Sequence, residues 1–320
     1  MHNTLEQRHE NTDYAFAFKN LDWDAYHKYR PVYPPSMWML WLDYHRRSGN
    51  GSFGMAHDIG SGPGTAALVL SRYFGHVAVS DAGAANLAAA KRSLQPPQQF
   101  TFHHGPGEQT ADWLAAESID FSTACMAMHY MDPDKTVRAV AVTLAPGGTL
   151  AAVTYGFRLL FPGHPRAQDL WYSACSRDTL RLMREKKLFP AAVRGLANAM
   201  TGLDFVSFPP DVYRDVRRFY VNIDQDDERP LCFVDRAELW HEAETRVTDG
   251  ESREFFKDSN WGRQADAAWL RGFLASCQMG FDDTTWALPE WQELEAIVAA
   301  QPQKTIRIEW PVSMVLATKR

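Results

Sequence analysis

Apolar and polar positions follow two rhythms along the first half of the chain. Short apolar runs at 55–59, 76–80, 100–103, 119–124 and 149–155 are bounded by glycine, proline or polar clusters, and they predict strands. Between them, apolar residues recur at three- and four-residue spacing over 37–45, 66–74, 84–94 and 135–144, which predicts helices, with a shorter one at 112–117. The breakers agree: Ser48-Gly49-Asn50-Gly51-Ser52 precedes the first strand, Pro96-Pro97 ends the alanine-rich helix, and Pro146-Gly147-Gly148 leads into the fifth strand. Strand and helix in regular alternation predict an α/β fold, a parallel sheet with helices on both faces.

After Tyr155 the rhythm changes. Residues 156–300 read as mostly helical, with loops at 161–165 and 208–210, an acidic turn at 224–228 and a strand at 205–208. A long alternating run over 305–318 follows everything else and is expected to return to the first sheet. The chain is thereby expected to divide into a sheet half with an N-terminal arm (1–155), a mostly helical cap contributing a substrate pocket (156–300), and a returning strand (301–320).

Composition narrows the class. The chain has 320 residues, 45% of them hydrophobic and 22% charged, as in a globular protein. A net charge of −6 gives no global attraction to nucleic acid or to an anionic membrane, so neither is an expected partner. The four cysteines, Cys125, Cys175, Cys232 and Cys277, form no close pair, which suggests no disulfide framework and no metal site. Residues 1–19 lack the basic start and apolar run of a signal peptide, and no apolar stretch reaches the roughly 18 residues of a membrane span, so a cytoplasmic protein is expected.

The chemistry concentrates in Asp58-Ile59-Gly60-Ser61-Gly62-Pro63-Gly64, at the exit of the first strand and the entry of a helix. Glycines there let the backbone take positive φ and approach a ligand closely. A dinucleotide fingerprint needs its third glycine one place later, where Thr65 stands, and the lysine of a phosphate loop is missing. Asp58, two places before the first glycine, would repel a pyrophosphate and suits a ligand bearing an ammonium or sulfonium charge. The plainer reading, an ordinary strand-to-helix connection, does not account for an acidic residue and three glycines in this context.

This turn resembles the first motif of the class I S-adenosylmethionine-dependent methyltransferases, and the resemblance continues over residues 20–165. It implies a Rossmann-like sheet, mostly parallel with an antiparallel C-terminal strand, and S-adenosylmethionine as cofactor. Asp81, ending the second strand, falls where the family places a carboxylate for both ribose hydroxyls; helix capping is its plainer reading. Gly105-Pro106-Gly107-Glu108 falls where the family holds the adenine, with Glu108 or backbone amides making the contact. Passages 26–34, 127–132, 155–165 and 269–276 are similar to the fungal trans-aconitate methyltransferase group. That likeness implies an arm over the cofactor carrying Tyr29 and Arg30, with Arg30 pairing with the methionine carboxylate; otherwise the arm is a packing segment whose tyrosines cover the sheet. The implied cofactor set is Tyr29, Arg30, Asp58, Gly60, Ser61, Gly62, Gly64, Asp81, Glu108 and Met126. His129 and Tyr155 are the candidates at the reacting end, His129 as a wall, a positioning group or a base, against the alternative of a satisfied core histidine.

Charge and tryptophan are unevenly distributed. Residues 1–150 carry a net −3, 151–223 a net +5 and 224–320 a net −8. The basic block holds Arg158, Arg166, Arg177, Arg181, Arg184, Lys186, Lys187, Arg214, Arg217 and Arg218; it is either a solvated helix face or a partner for an anionic substrate. Seven of eleven tryptophans lie beyond Tyr155, most as helix packing and one or two as pocket walls. The expected activity is O-methylation of a small carboxylic acid to its methyl ester. The alternatives are O- or N-methylation of an aromatic secondary metabolite, and a non-methylating cofactor-binding protein on the same scaffold.

Overall fold

The computed structural model describes residues 22–185, 190–225, 231, 244–277 and 281–320. The expectations for the leader segment at 1–19, for Cys232, Trp240, Lys186 and Lys187, and for part of the acidic turn lie outside them. Two helices, α1 (Trp23–Tyr29) and α2 (Pro35–Ser48), lead into alternating elements. These are β1 (Met55–Ile59), α3 (Thr65–Leu70), β2 (His76–Asp81), α4 (Ala84–Ser93), β3 (Phe100–His104), β4 (Ile119–Cys125), α5 (Pro133–Thr143) and β5 (Leu144–Tyr155). Then come α6 (Pro165–Glu185), α7 (Pro190–Met200), β6 (Tyr213–Val221), β7 (Ser252–Phe256), β8 (Gly262–Ala265), α8 (Ala267–Ala275), α9 (Asp283–Trp286), α10 (Pro289–Ala299), β9 (Ile306–Glu309) and β10 (Val312–Lys319).

The main sheet has eight strands in the order β3-β2-β1-β4-β5-β10-β6-β7. β10 runs antiparallel to both its neighbours, and every other pairing is parallel. This is the mostly parallel Rossmann-like sheet with one antiparallel strand. Seven of the eight residues of β10 are buried, because strands cover both its edges and helices its faces. Packing on one face is dominated by aromatics: Trp38 and Trp41 of α2 meet edge-on at 5.5 Å, and Trp41 reaches Phe121 of β4 at 6.3 Å. Among the described residues, no helix is long and apolar enough to cross a membrane.

The structure departs from the sequence reading in four places, each with a local cause. Residues 205–208 are not a strand, because the Arg218 guanidinium takes the carbonyls of Leu203 and Val206 at 2.8 and 2.7 Å. The strand is β6 instead, hidden in the sequence by its charges at Arg214, Asp215, Arg217 and Arg218. The run 305–318 is two strands: Pro311 has no N–H to continue a ladder, so β9 pairs with β8 in a separate small sheet and only β10 joins the main one. Residues 112–117 do not form a helix. A 3-10 turn spans Gly107–Asp112, and the Glu117 and Ser118 amides bond to the Val142 and Thr143 carbonyls at the end of α5. Finally, the stretch 156–300 supplies β6, β7 and β8 as well as helices, two of them extending the main sheet.

Candidate active site

The glycine turn is built as a cradle. Gly60, Gly62 and Gly64 have φ of +64°, +55° and +88°, values that side chains rarely adopt. A Cβ on Gly60 would also lie 2.6 Å from the Cβ of Ala127. The Asp58 carboxylate, buried behind the turn, accepts the Ala67 amide at 2.9 Å and the Thr123 hydroxyl at 3.1 Å. Burial outweighs those bonds and, with some repulsion from Asp81, pushes its pKa up to about 7. Such a group gains from a cationic partner. Asp81 spans the neighbouring strand end: one carboxylate oxygen accepts Gly62 N at 2.8 Å, the other Gly83 N at 2.7 Å and Asn86 Nδ2 at 3.0 Å. Burial again raises its pKa against these bonds.

A cleft opens over the carboxyl ends of the strands, where open α/β sheets bind ligands. Its empty space, counted out to the mouth, is about 1270 Å³. One end is formed by Asp58, Gly60, Ser61, Gly62, Asp81 and Asn86 with residues 105–107. The other end has Cys125, Met126, Tyr130, Tyr155 and Phe157. Trp23, Tyr26, His27, Arg30 and Tyr33 of the arm close the side, with the Trp23 ring against Gly62. The arm is not extended throughout. Asp22 caps α1 by accepting Ala25 N at 2.9 Å, and the chain turns extended only at Arg30, ahead of Pro31.

Of the sequence-derived set, Arg30, Asp58, Gly60, Ser61, Gly62, Asp81, Met126 and Tyr155 line the cleft. Tyr29, Gly64, Glu108 and His129 do not. Tyr29 packs on Gly272 and Trp269. Gly64 caps α3 against Leu94. Glu108 turns away to accept the Asp132 amide at 2.7 Å, leaving Gly105, Pro106 and Gly107 in the wall. His129 is buried beside Tyr130, and burial, followed by the charge of Arg30, lowers its pKa to about 3. Met126 has φ of +54°, and its sulfur accepts the Tyr155 amide at 3.2 Å. Asn86, Tyr130 and His27 were not singled out from sequence; Asn86 sits one turn into α4 and reads as an ordinary helix residue.

Among the described side chains, none of the basic block lines the cleft. Arg166 grips Glu293 with bonds of 2.7 and 2.6 Å, and Arg177 meets Glu290 at 2.5 Å. Arg218 pairs with Glu251 at 2.5 Å, and Arg217 lies 3.9 Å from Glu254. Arg181 bonds to Asp178 and Glu185, Arg214 to Asp215, and Arg158 lies over the Tyr172 ring. The side chain of Arg184 lies outside the described residues. Four arginines of the +5 segment thus pair with glutamates of the −8 segment, and among the described side chains the block offers no seat to an anionic substrate.

Residues 57–152 match a family described as a methyltransferase domain. Over 96% of this chain and 98% of its own length, the methyltransferase cfoB of Aspergillus candidus is 30% identical. The methyltransferase tpcM of Aspergillus fumigatus is 28% identical over 97% of this chain and 95% of its own. Among solved structures, a putative type II methyltransferase from Anaeromyxobacter dehalogenans superposes with a TM-score of 0.56 at 20% identity, covering 90% of this chain and 97% of that one, a likeness of fold.

Proposed function

The chain belongs to the S-adenosylmethionine-dependent methyltransferases, and from that premise we propose that it esterifies a carboxyl group carried on a small aromatic acceptor. S-adenosylmethionine, its cofactor, supplies an electrophilic methyl on a sulfonium, open to in-line displacement.

The residues present suit that cofactor. The Asp58 carboxylate, with a pKa near 7 and no cation beside it among the described residues, meets the ammonium and sulfonium end. The Asp81 carboxylate takes the ribose hydroxyls. The Ser61 hydroxyl is buried without a partner and, with the amides of the glycine turn, holds the remaining polar atoms. Ala82, Pro106 and Met131 give the apolar walls an adenine ring needs.

The acceptor end carries the choice of substrate. Burial raises the pKa of Tyr33, Tyr130, Tyr155 and Cys125, and His129 is depressed and outside the wall. Among the described residues, no buried group at that end is poised to take a proton near neutral pH. A carboxyl group, with an ordinary pKa of about 4, arrives ionised and needs no base. Tyr26, Tyr33, Tyr155 and Phe157 offer ring faces to an aromatic frame. The task left to the protein is alignment and exclusion of water.

A phenolic acceptor is the second reading, favoured by His27 at the exposed mouth of the cleft, where an imidazole can serve as base. Incubation with methyl-labelled cofactor and paired aromatic acids and phenols decides between them. Label released as methanol by mild alkali marks an ester. Alkali-stable label confined to phenols marks an ether and removes the carboxyl reading.

A further inference from the structure

We propose that Arg30, together with the Tyr155 hydroxyl beside it, is the seat of the acceptor's carboxylate and not of the cofactor's amino-acid end. This deepens the carboxyl reading above and rests on it.

Position across the sheet is the first ground. Asp81 ends β2, Asp58 lies at the end of β1, Cys125 ends β4 and Tyr155 ends β5, in the spatial order of the strands. Strands lie about 4.8 Å apart, so Tyr155 stands roughly 10 Å across the sheet from the Asp58 strand. Arg30 is on the Tyr155 side. Its guanidinium stacks on Phe157 of the segment after β5 and Tyr26 of α1, both at 5.1 Å, and on Phe273 of α8 at 5.8 Å.

Unmet bonding is the second ground. Arg30 is 6% exposed and lines the cleft, yet among the described residues no carboxylate lies within ion-pair distance of it. The guanidinium donates to the Ser276 carbonyl at 2.8 Å and is hydrogen-bonded to the Tyr155 hydroxyl, and Nε has no partner. A buried guanidinium without a counter-charge is costly, and its planar fork matches a carboxylate. An anion arriving at the β5 end supplies both the missing charge and the missing acceptor, with the Tyr155 hydroxyl in reach of the same group. By contrast, a carboxylate held at the glycine turn has the partnerless Ser61 hydroxyl near it.

The test is a pair of calorimetric titrations on the full chain. S-adenosylhomocysteine is titrated first. The saturated protein then receives 2-naphthoate or, separately, 2-naphthamide, isosteric probes that differ in charge. Wild type is expected to bind the naphthoate at least about tenfold more tightly, or about 1.4 kcal/mol, because a charge-assisted pair is stronger than a neutral one. Arg30→Gln abolishes that preference and leaves the S-adenosylhomocysteine affinity within about threefold, which also shows that the variant is folded. Tyr155→Phe reduces the preference without touching the nucleoside. If Arg30→Gln does not fold, the same split is read in Arg30→Met, which keeps the length of the side chain without its charge. A wild type that prefers naphthoate, with the arginine variant losing S-adenosylhomocysteine and keeping the preference, overturns the seat and leaves the carboxyl reading standing. A wild type indifferent between the probes overturns both.

Discussion

Asp81 is tied to Gly62 by a 2.8 Å hydrogen bond from the glycine's amide, so the end of β2 holds the apex of the turn that follows β1. The same carboxylate is therefore a structural brace and the proposed ribose ligand. Asp81→Ala removes the acceptor for three donors, and it is expected to weaken S-adenosylhomocysteine binding by about one to two orders of magnitude and to lower the melting temperature. Calorimetric titration beside a thermal melt reads both. A variant with unchanged nucleoside affinity contradicts the assignment.

The raised pKa of Asp58 makes cofactor binding depend on pH. Its folded-state value, about 7, lies above the unfolded carboxyl value of about 3.9, so the folded protein binds the extra proton. As pH rises from about 4 to 7, the ligand-free protein therefore loses stability on account of this group. Above pH 7 the ionised carboxylate is present to meet a cation. Nucleoside affinity is expected to rise from pH 6 to pH 8 by up to about tenfold, and Asp58→Asn flattens the profile. A wild-type profile already flat between those values rules the group out.

His129, buried and outside the cleft wall, is not expected to serve as a base. With its pKa near 3 it is too weak to take a proton from an alcohol at neutral pH. His129→Asn is expected to change kcat by less than about tenfold, apart from any loss of folded protein. A drop of about a thousandfold with intact nucleoside binding returns it to the reaction.

Arg218 clamps β6 to the chain before it through the Leu203 and Val206 carbonyls and to the entry of β7 through Glu251. Truncation to Ala leaves the nearly buried Glu251 without its counter-charge and the Val206 carbonyl without its donor, which costs about 3–5 kcal/mol in denaturant unfolding. The double variant Arg218→Met with Glu251→Gln recovers part of that loss. Equal losses in the single and double variants would show that the pair is not the clamp.

The alternation of apolar runs with helical spacing determined the sheet half, because period and breakers are local properties of a chain. The glycine turn was legible for the same reason: positive φ is a demand on single residues, and Asp58 and Asp81 stand at strand ends that the pattern predicts. What the sequence left open depends on partners distant in the chain. A net +5 block resembles an anion seat until Glu290, Glu293, Glu251 and Glu254 fold onto it. Glu108 resembles a ligand until the Asp132 amide claims it. β6 was unreadable because Arg218 is a charged residue whose burial is affordable only with its partner in place. His129 and Arg30 are both polar residues near the same strand ends, and only the tertiary structure decided that one is shut behind the wall while the other faces the cleft. Backbone rules act over a few residues, whereas desolvation and charge pairing act through space.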